Sequence, residues 1–530
     1  MIKYLILSLC FLTISNSVSS QKLIDVKSYF FKLIITDSSD VIRVREVISV
    51  DFVEECNFFE LDLNNLNADN KGMVVHSIQR DRMKLNFDHS NDKLKINTGI
   101  NKKGTNSEFR IIYSGIPEDG LVIGENKYKN RTIFGDNWPK RARNWLATVD
   151  HPSDKALVDF EVIAPAHYTC ISNGKLMDVT SLDKDYTASF YSSEHELPTK
   201  VMVIGLADFT IDTVPSKNTF PITSWVYKED QINGFDDLKV TVDPLTFFIN
   251  NIGPYPFEKL ANVQSTTRYG GMENAGCIFY DENAIKGDNS MENLIAHEIA
   301  HQWFGNSVTE SDWKHLWLSE GFATYMTNTY LQNKYGIAKM NEQFASDRKR
   351  IIEFKKKISL PVIDTITTDL IQLLNPNSYQ KGAWTLHMLH NKLGNDTFWK
   401  GIRLFYFTYK YSNASSNDFI RIMEEVSDEK LNPFFNQWLR KSEIPIVLVN
   451  KKKVRKGTLI RLELKQGYNS FTFPLEVQIN NADKIEKQVL NFNYKTTLFE
   501  IFIPAGATFS LDPDVKLLFE QIETKDNVWK

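Results

Sequence analysis

Short runs of alternating apolar and polar residues fill the first part of the chain, from about residue 21 to residue 210. These runs are separated by Asn, Asp, Gly and Ser residues, which favour turns. Alternation with a period of two turns one face of a strand towards a core. The pattern predicts an N-terminal all-β domain over residues 21–210. Clear examples are Val41–Val50, Lys93–Ile96, Phe109–Tyr113, Leu157–Ile163 and Lys200–Ile204.

A helical period replaces this alternation over residues 211–440, where apolar positions recur three and four residues apart. The pattern predicts a mainly helical domain there. Asn289 or Ser290 is expected to cap the first long helix, and Gly305 to end it. The charged cluster at Asp347–Arg350 is predicted to be a solvated helix face. The amphipathic segments are Met291–Phe304, Gly321–Lys334, Asn341–Phe354 and Tyr379–Lys392.

Strand patterns return after Pro445 and predict a small β-sandwich over residues 445–530. The fold class expected from the whole pattern is therefore a multidomain α+β protein, with a β domain, a mainly helical domain and a β-sandwich. The predicted strands are Ile446–Val449, Leu459–Leu464, Phe471–Ile479, Gln488–Phe492 and Leu498–Ile503.

Composition agrees with a globular protein of several domains. The chain has 530 residues, of which 24% are charged and 42% hydrophobic, and this length exceeds what one core supports. A net charge of −4 gives no basic surface for nucleic acid, so no nucleic-acid partner is expected. After residue 20 the cysteines are Cys56, Cys170 and Cys277. Three cysteines leave one unpaired and do not form a disulfide framework.

The N-terminus has the form of a secretion signal. Lys3 is followed by the apolar stretch Tyr4–Ile14, which is too short to span a bilayer, and by small residues at Val18–Ser20. We expect residues 1–20 to be a signal peptide and the mature protein to be exported, to the periplasm or outside the cell. A first strand or a buried helix is the alternative. No other stretch is long and apolar enough to cross a membrane.

One short motif predicts a metal site. Residues 297–301 read His-Glu-Ile-Ala-His, and on a helix His297 and His301 project from one face, where two imidazoles can bind one Zn²⁺. Glu298 can act as a general base on a water molecule at the metal. Glu320 is a candidate third ligand, which leaves a fourth position open, as in catalytic sites. The alternative is a buried helix whose histidines are only hydrogen-bonded.

A second motif precedes this helix. Residues 270–276 read Gly-Gly-Met-Glu-Asn-Ala-Gly, which indicates a glycine-flanked turn or edge strand that another backbone can approach closely. Glu273 would be an acid near the metal centre, able to pair with a positive group on a substrate. An exposed loop glutamate is the alternative for this residue.

Taken together, these segments resemble the zinc aminopeptidases of the aminopeptidase N and leukotriene epoxide hydrolase family. In that family a Gly-x-Met-Glu-Asn segment lies before His-Glu-x-x-His, and the ligand glutamate follows after eighteen intervening residues, as Glu320 does here. The resemblance covers nearly the whole chain after residue 20. It extends to Trp317–Ala323, Ser378–Ala383, Asn137–Lys155 and Phe434–Leu439.

The resemblance implies a thermolysin-like catalytic domain, one zinc ion per chain, and peptide substrates with a free N-terminus. By that resemblance His297, His301 and Glu320 bind zinc, and Glu298 activates the water. Tyr379 donates to the oxyanion, and Glu273 holds the substrate's amino group. The substrate-binding segment comprises Gly270, Gly271, Met272, Glu273 and Asn274.

Three other functions remain open at this point. A thermolysin-type zinc endopeptidase would use the same His-Glu-x-x-His chemistry without needing Glu273. A non-catalytic relative would keep the fold as a peptide-binding scaffold. Epoxide hydrolysis as a second activity is neither supported nor excluded.

The chain also departs from the family at several points. Many members carry a large helical domain after the sandwich; none is expected in this chain, so the cleft would be more open or covered by another subunit. A second contact to the substrate amine falls near Trp138 or Asp136. Tyr269 is a candidate for the side-chain pocket.

Overall fold

The computed structural model describes residues 22–465, 467–468, 471–481 and 484–524. The predicted signal peptide lies outside these residues. Within the described part of the chain, no helix has both the length and the apolar composition needed to cross a membrane. In the same part, Cys56, Cys170 and Cys277 are unpaired.

Sixteen strands form the N-terminal region. They are β1 (Ile24–Thr36), β2 (Ser39–Phe52), β3 (Cys56–Asp62), β4 (Gly72–Arg80), β5 (Met83–Lys84), β6 (Phe87–Ser90), β7 (Lys93–Asn101), β8 (Asn106–Ile116), β9 (Leu121–Glu125), β10 (Arg131–Gly135), β11 (Lys155–Pro165), β12 (Thr169–Ser172), β13 (Lys175–Ser181), β14 (Tyr186–Ser192), β15 (Leu197–Pro198) and β16 (Ile204–Ala207).

These strands build three sheets. The largest has the order β13-β14-β11-β1-β2-β8-β4-β5, with β15 beside β11; the others are β12-β16-β10-β9 and β3-β7-β6. Strands β1 and β2 alternate between buried and partly exposed residues along most of their length, so one face of the large sheet covers the core. Phe109 of that sheet meets Phe59 of the β3-β7-β6 sheet at a ring distance of 5.0 Å.

The strand predicted at Lys200–Ile204 is wrong for most of its length. A short 3₁₀ turn occupies Thr199–Val201, and β16 begins only at Ile204. The amide of Asn137 donates to the carbonyl oxygens of Thr199 and Met202. Two carbonyl groups that a strand would offer to a neighbouring strand are thus taken by one side chain.

The middle region combines nine helices with two further sheets in the described residues. The helices are α1 (Gln231–Leu238), α2 (Val242–Asn251), α3 (Glu292–His301), α4 (Trp317–Tyr335), α5 (Ile337–Lys355), α6 (Gly382–Leu393), α7 (Asn395–Tyr409), α8 (Ser416–Ser427) and α9 (Asn432–Leu439). The strands are β17 (Phe209–Thr213), β18 (Ile222–Tyr227), β19 (Leu260–Ser265), β20 (Gly271–Met272), β21 (Cys277–Asp281), β22 (Val308–Glu310) and β23 (Ser412–Ala414).

A mixed sheet precedes the long helices and was not expected from the helical period. Its order is β17-β18-β19-β21-β20, and every residue of β19 is buried. Strands that are buried on both faces lose the alternation that marks a strand in sequence. The short strand β20 lies at the edge of this sheet.

Helix α3 begins later than expected. Met291 is its N-terminal flanking residue, and no side chain caps it, so the predicted cap by Asn289 or Ser290 is wrong. The backbone N–H of Asn289 instead donates to the buried carboxylate of Asp237, which also accepts the N–H groups of two nearby residues. The residues before α3 are thus fixed by Asp237. The regular helix ends at His301, before Gly305.

The C-terminal strands form two facing sheets. The strands are β24 (Ile446–Val454), β25 (Gly457–Leu464), β26 (Phe473–Asn481), β27 (Lys484–Phe492), β28 (Leu498–Pro504), β29 (Thr508–Leu511) and β30 (Glu520–Glu523). Their orders are β28-β25-β24-β30 and β27-β26-β29. Phe492 of one sheet packs edge-on against Phe499 of the other at 4.9 Å. The predicted α+β fold class, ending in a small sandwich, is confirmed.

The charged cluster on α5 is only partly a solvated face. Arg348 donates to the carbonyl of Leu517 and forms an ion pair with the buried Asp512 of the sandwich. Its guanidinium group lies over the rings of Trp384 and Phe519, at 5.0 and 5.1 Å. The prediction for Arg348 is therefore wrong, because this side chain docks the sandwich onto the helical domain.

Loss of this docking residue should destabilise the protein. Arg348→Ala leaves Asp512 buried without its cation, so we expect the free energy of unfolding to fall by about 3 kcal/mol. Lys349→Ala, on the exposed side of the same helix, should change it by less than about 0.5 kcal/mol. Urea denaturation followed by tryptophan fluorescence measures both. Equal effects of the two substitutions would contradict the docking role.

Candidate functional site

Two histidines and one glutamate converge at the centre of the helical region. His297 and His301 lie on α3, and Glu320 lies in the first turn of α4. The two Nε2 atoms are 3.1 Å apart, and they lie 3.4 and 3.3 Å from Oε2 of Glu320. Three lone-pair-bearing atoms at these distances form a group that could hold a metal ion.

The ring of His301 is fixed from behind. Its Nδ1 atom lies 3.1 Å from the carbonyl oxygen of Phe304 and 3.0 Å from Oγ of Ser319. A carbonyl oxygen only accepts, so Nδ1 carries the hydrogen and donates it to Phe304. The lone pair of Nε2 then faces His297 and Glu320. A metal-ligating histidine is commonly oriented by such a second hydrogen bond.

A second grouping of possible ligands shares His301. Glu273, Glu298 and His301 also bring their ligand atoms within 4.8 Å of one another. The first group, with two imidazoles and one carboxylate, is the better donor set for a metal that prefers nitrogen ligands. In that arrangement Glu273 and Glu298 remain as acids beside the ion.

Close packing of glycines brings Glu320 to Tyr379. A Cβ atom on Gly321 would lie 2.9 Å from Cα of Gly382 and 3.0 Å from the carbonyl oxygen of Ser378. Only glycines permit this approach of α4 to the turn before α6. Tyr379 lies in that turn, and its ring stacks on His297 at 6.0 Å. The contact places its side chain beside Glu320.

Gly271 gives room to Glu298. A Cβ atom on Gly271 would lie 2.5 Å from Oε1 of Glu298, whereas one on Gly270 would meet only Leu294 at 3.8 Å. Of the two glycines, only Gly271 therefore has to be glycine for this close approach to Glu298. Strand β20 pairs Gly271 with Tyr280 of β21 and leaves its other edge without a strand partner in the described residues.

Two polar residues that the sequence analysis did not single out anchor the segment around Glu273. Gln302 and Asn306 both donate to the backbone carbonyl of Glu273, at 3.0 and 2.5 Å. Gln302 also accepts the N–H of Gly276 at 2.9 Å. Gln302 directly follows the His-Glu-Ile-Ala-His motif and Asn306 comes five residues after it, and amide side chains so close to the motif are the signal that could have found them.

Glu273 itself is 5% exposed, and its Oε1 atom has no hydrogen-bond partner among the described residues. The prediction that Glu273 lies near the metal-binding group agrees with this placement. The alternative of a solvent-exposed loop glutamate does not. Asn274 is fully buried, and its side-chain atoms likewise have no partner in the described part of the chain.

A small cavity joins these side chains. Its walls combine the metal-binding group with residues from the N-terminal region and from the loop before α6. Gly270 and Asn274 are not among the lining residues. Those that line it are Trp138, Tyr269, Gly271, Met272, Glu273, His297, Glu298, His301, Glu320, Leu374 and Tyr379.

Burial shapes the electrostatics of the cavity. It raises the pKa of Glu298 well above its usual value, and the neighbouring charges of Glu273 and Glu320 add to the effect. Burial lowers the pKa of His297. Burial alone would lower the pKa of His301, but the carboxylates of Glu320 and Glu273 outweigh it and raise that pKa to about 10. A concentration of carboxylates in a buried cavity favours a bound cation.

Three named relatives illustrate the similarity of this chain to known proteins. It is 26% identical over 453 residues to a probable aminopeptidase 2 of Sulfurisphaera tokodaii, covering 79% of this chain and 55% of the relative. It is 24% identical over 420 residues to the glutamyl aminopeptidase of Bos taurus, with coverages of 74% and 44%. It is 25% identical over 485 residues to an alanine/arginine aminopeptidase of Saccharomyces cerevisiae, with coverages of 84% and 54%. The chain spans about half the length of these curated relatives.

Two family descriptions match separate parts of the chain. The Peptidase M1 N-terminal domain matches residues 26–200, and the Peptidase family M1 domain matches residues 237–438. The second match contains the whole metal-binding group and Tyr379, and the first contains Trp138. The two matches together span well over half of the sequence, and on these matches the chain belongs to peptidase family M1.

Proposed function

We propose that this chain is a zinc-dependent aminopeptidase, which hydrolyses the first peptide bond of peptides with a free N-terminus. The observation that carries the proposal is the buried carboxylate of Glu273 beside the metal-binding group, whose Oε1 atom has no hydrogen-bond partner among the described residues. A buried acid without a partner is costly. The α-ammonium group of a peptide has the right charge to pair with it, and that pairing would present the first peptide bond to Glu298 and the metal-binding side chains.

The donor set of His297, His301 and Glu320 fits zinc, since two imidazole nitrogens and one carboxylate oxygen are common ligands of catalytic zinc. Zinc bound there would supply a Lewis acid and lower the pKa of a water molecule towards neutrality. Glu298 accepts a proton from the attacking water and passes it to the nitrogen of the leaving amine.

Tyr379 is placed to act on the substrate carbonyl. Its ring stacks on His297, so its hydroxyl group lies on the metal-binding side of the cavity. Burial and the charge of Glu320 raise its pKa well above the ordinary value, which keeps the hydroxyl protonated as a donor. Donation to the oxygen on which negative charge develops typically contributes about 3 kcal/mol.

Strand β20 gives the substrate a backbone to pair with. Gly271 and Met272 lie at the free edge of the mixed sheet, and an extended peptide can add to such an edge as a further strand. In this proposal Gly271, Met272 and Glu273 of the segment Gly270–Asn274 contact the substrate, and Gly270 and Asn274 flank them. Gly271 serves both this pairing and the room for Glu298.

The names of the relatives support the activity, since the three compared above are each described as an aminopeptidase. We also propose export to the periplasm or outside the cell, on the basis of the signal-like residues 1–20. Edman sequencing of the purified exported protein would then begin at Gln21.

Hydrolysis of paired anilides tests the proposed activity. Wild-type protein should cleave alanyl and leucyl anilides but leave their N-acetylated forms intact, because acetylation removes the charge that pairs with Glu273. A chelator should abolish turnover, and added zinc should restore it. Glu273→Gln keeps the shape of the side chain and should lower kcat/KM for the free-amine substrates by about 100-fold, with zinc content unchanged. Cleavage of the acetylated substrates at a similar rate would overturn the proposal in favour of an endopeptidase.

Adjacent glycines provide a second test. Gly271→Ala places a methyl group against the carboxylate of Glu298, so we expect kcat to fall by about 100-fold as the general base is displaced. Gly270→Ala is the matched control, since its methyl group makes only an ordinary contact with Leu294, and kcat should stay within about threefold of wild type. Equal losses of kcat in the two variants would show that the reaction does not depend on the space that Gly271 leaves beside Glu298.

A further inference from the structure

A fully buried ion pair joins the N-terminal region to the helical region. Nζ of Lys200 donates to Oε1 of Glu310 at 2.5 Å, and their side chains are 1% and 0% exposed. Lys200 comes from the 3₁₀ turn before β16, and Glu310 ends β22. Two charges removed from water carry a large desolvation penalty, which a pair repays only when its geometry is well fixed. Neither residue lines the cavity.

A second buried lysine does not replace Lys200 as the partner of Glu310. Lys155 donates to the carbonyl oxygens of Asn306 and Ser307, at 3.0 and 2.8 Å. Burial, with the neighbouring charge of Lys200, lowers its pKa to about 7. Lys155 thus supports the backbone of Asn306, which holds the carbonyl of Glu273, while Lys200 remains the cation bound to Glu310.

Aromatic contacts lead from the ion pair to the cavity. Nζ of Lys200 lies 5.9 Å from the ring centre of Trp313, which is 5% exposed. The ring of Trp313 meets that of Trp138 edge-on at 5.9 Å, and Trp138 meets Tyr269 edge-on at 6.4 Å. Trp138 and Tyr269 both line the cavity. The ion pair is therefore two ring contacts away from the substrate-binding surface.

The backbone of Trp138 is held from the other side. Nε of Arg141 donates to the carbonyl oxygen of Trp138 at 2.6 Å, and Nη1 of Arg141 binds Asp119. Asp119 also accepts two hydrogen bonds from Arg268, the residue before Tyr269. With the backbone fixed by Arg141, the packing of Trp313 decides where the indole ring of Trp138 lies.

The cavity that these rings border does not suit an acidic side chain. In the described part of the chain its walls include Trp138, Tyr269, Met272 and Leu374 and no lysine or arginine, so an acidic side chain would find no partner. Trp138 and Tyr269 form part of these walls, so their positions set the room that a side chain of the substrate finds.

From these contacts we infer that the Lys200–Glu310 pair positions Trp138, through Trp313, and so limits the room for the first side chain of the substrate. The inference rests on the proposed aminopeptidase activity. Lys200 and Glu310 are positioning residues in this account, and Trp138 is the residue that determines specificity. Without the ion pair, the indole ring of Trp138 should move away from the cavity, and substrates with a larger first residue should bind.

The test is a double substitution, Lys200→Met with Glu310→Leu, which removes both charges and keeps the volume. We expect the ratio of kcat/KM for phenylalanyl over alanyl anilide to rise by about tenfold, mainly through KM for the phenylalanyl substrate. Zinc content should remain one per chain, and kcat for the alanyl substrate should stay within about twofold of wild type. An unchanged ratio in the zinc-loaded variant overturns the inference.

A matched control separates positioning from general loss of stability. Arg348→Met with Asp512→Leu removes another ion pair between two regions, neither residue of which lines the cavity, and should leave the ratio unchanged. Trp313→Leu keeps the Lys200–Glu310 pair and should reproduce the change in ratio. Adding Trp313→Leu to the double variant should then change the ratio no further, because both act on the same ring. An additive effect overturns the inference. If the double variant fails to fold, the ratio of kcat/KM measured for Trp313→Leu alone is the test.

Binding of aminoacyl hydroxamates to the zinc-loaded protein gives a readout that does not depend on turnover. Calorimetry should show that wild type binds alanine hydroxamate more tightly than phenylalanine hydroxamate, and that the double variant loses this preference. If wild type cleaves no anilide, the proposed function fails, yet a preference that changes in this way still supports the role of the pair. An equal preference in both proteins overturns it.

Discussion

Three lone-pair-bearing atoms, two of imidazole and one of carboxylate, are held within 3.4 Å of one another by helices α3 and α4. These three atoms can serve one cation only if the surrounding structure holds them in place. The glycine contact between α4 and the turn before α6 sets the position of Glu320. The hydrogen bond from His301 to the carbonyl of Phe304 sets the direction of one ring.

The remaining parts of the site depend on the same helix. Gln302 and Asn306, which follow the motif on α3, hold the carbonyl of Glu273, and so the acid proposed to bind the substrate amine is fixed relative to the metal-binding group. Lys155 in turn holds the backbone of Asn306 from the N-terminal region. The cavity is thus built jointly by two regions of the chain, and Trp138 is the lining residue that the N-terminal region supplies.

The local features could be predicted from the sequence. The His-Glu-Ile-Ala-His spacing puts two imidazoles on one helical face, and the alternation in β2 or β11 marks half-buried strands. The predictions that were wrong concern residues whose conformation depends on contacts with residues far away in the sequence. Arg348 reads as one charge in a polar cluster until Asp512, 164 positions later, is known to lie against it. Lys200 lies in a segment with strand-like alternation, yet Asn137 and Glu310 decide its conformation. The buried strand β19 carries no periodic signal at all.

We propose that two imidazoles and one carboxylate of this chain bind a single zinc ion. X-ray absorption spectroscopy on the zinc-loaded protein tests it most directly, together with the same measurement on His301→Ala. We expect one zinc per chain with two imidazole nitrogens at about 2.0–2.1 Å and oxygen ligands, and one imidazole fewer in the variant. Zinc bound through sulfur at about 2.3 Å, or an unchanged spectrum after removal of His301, would contradict it.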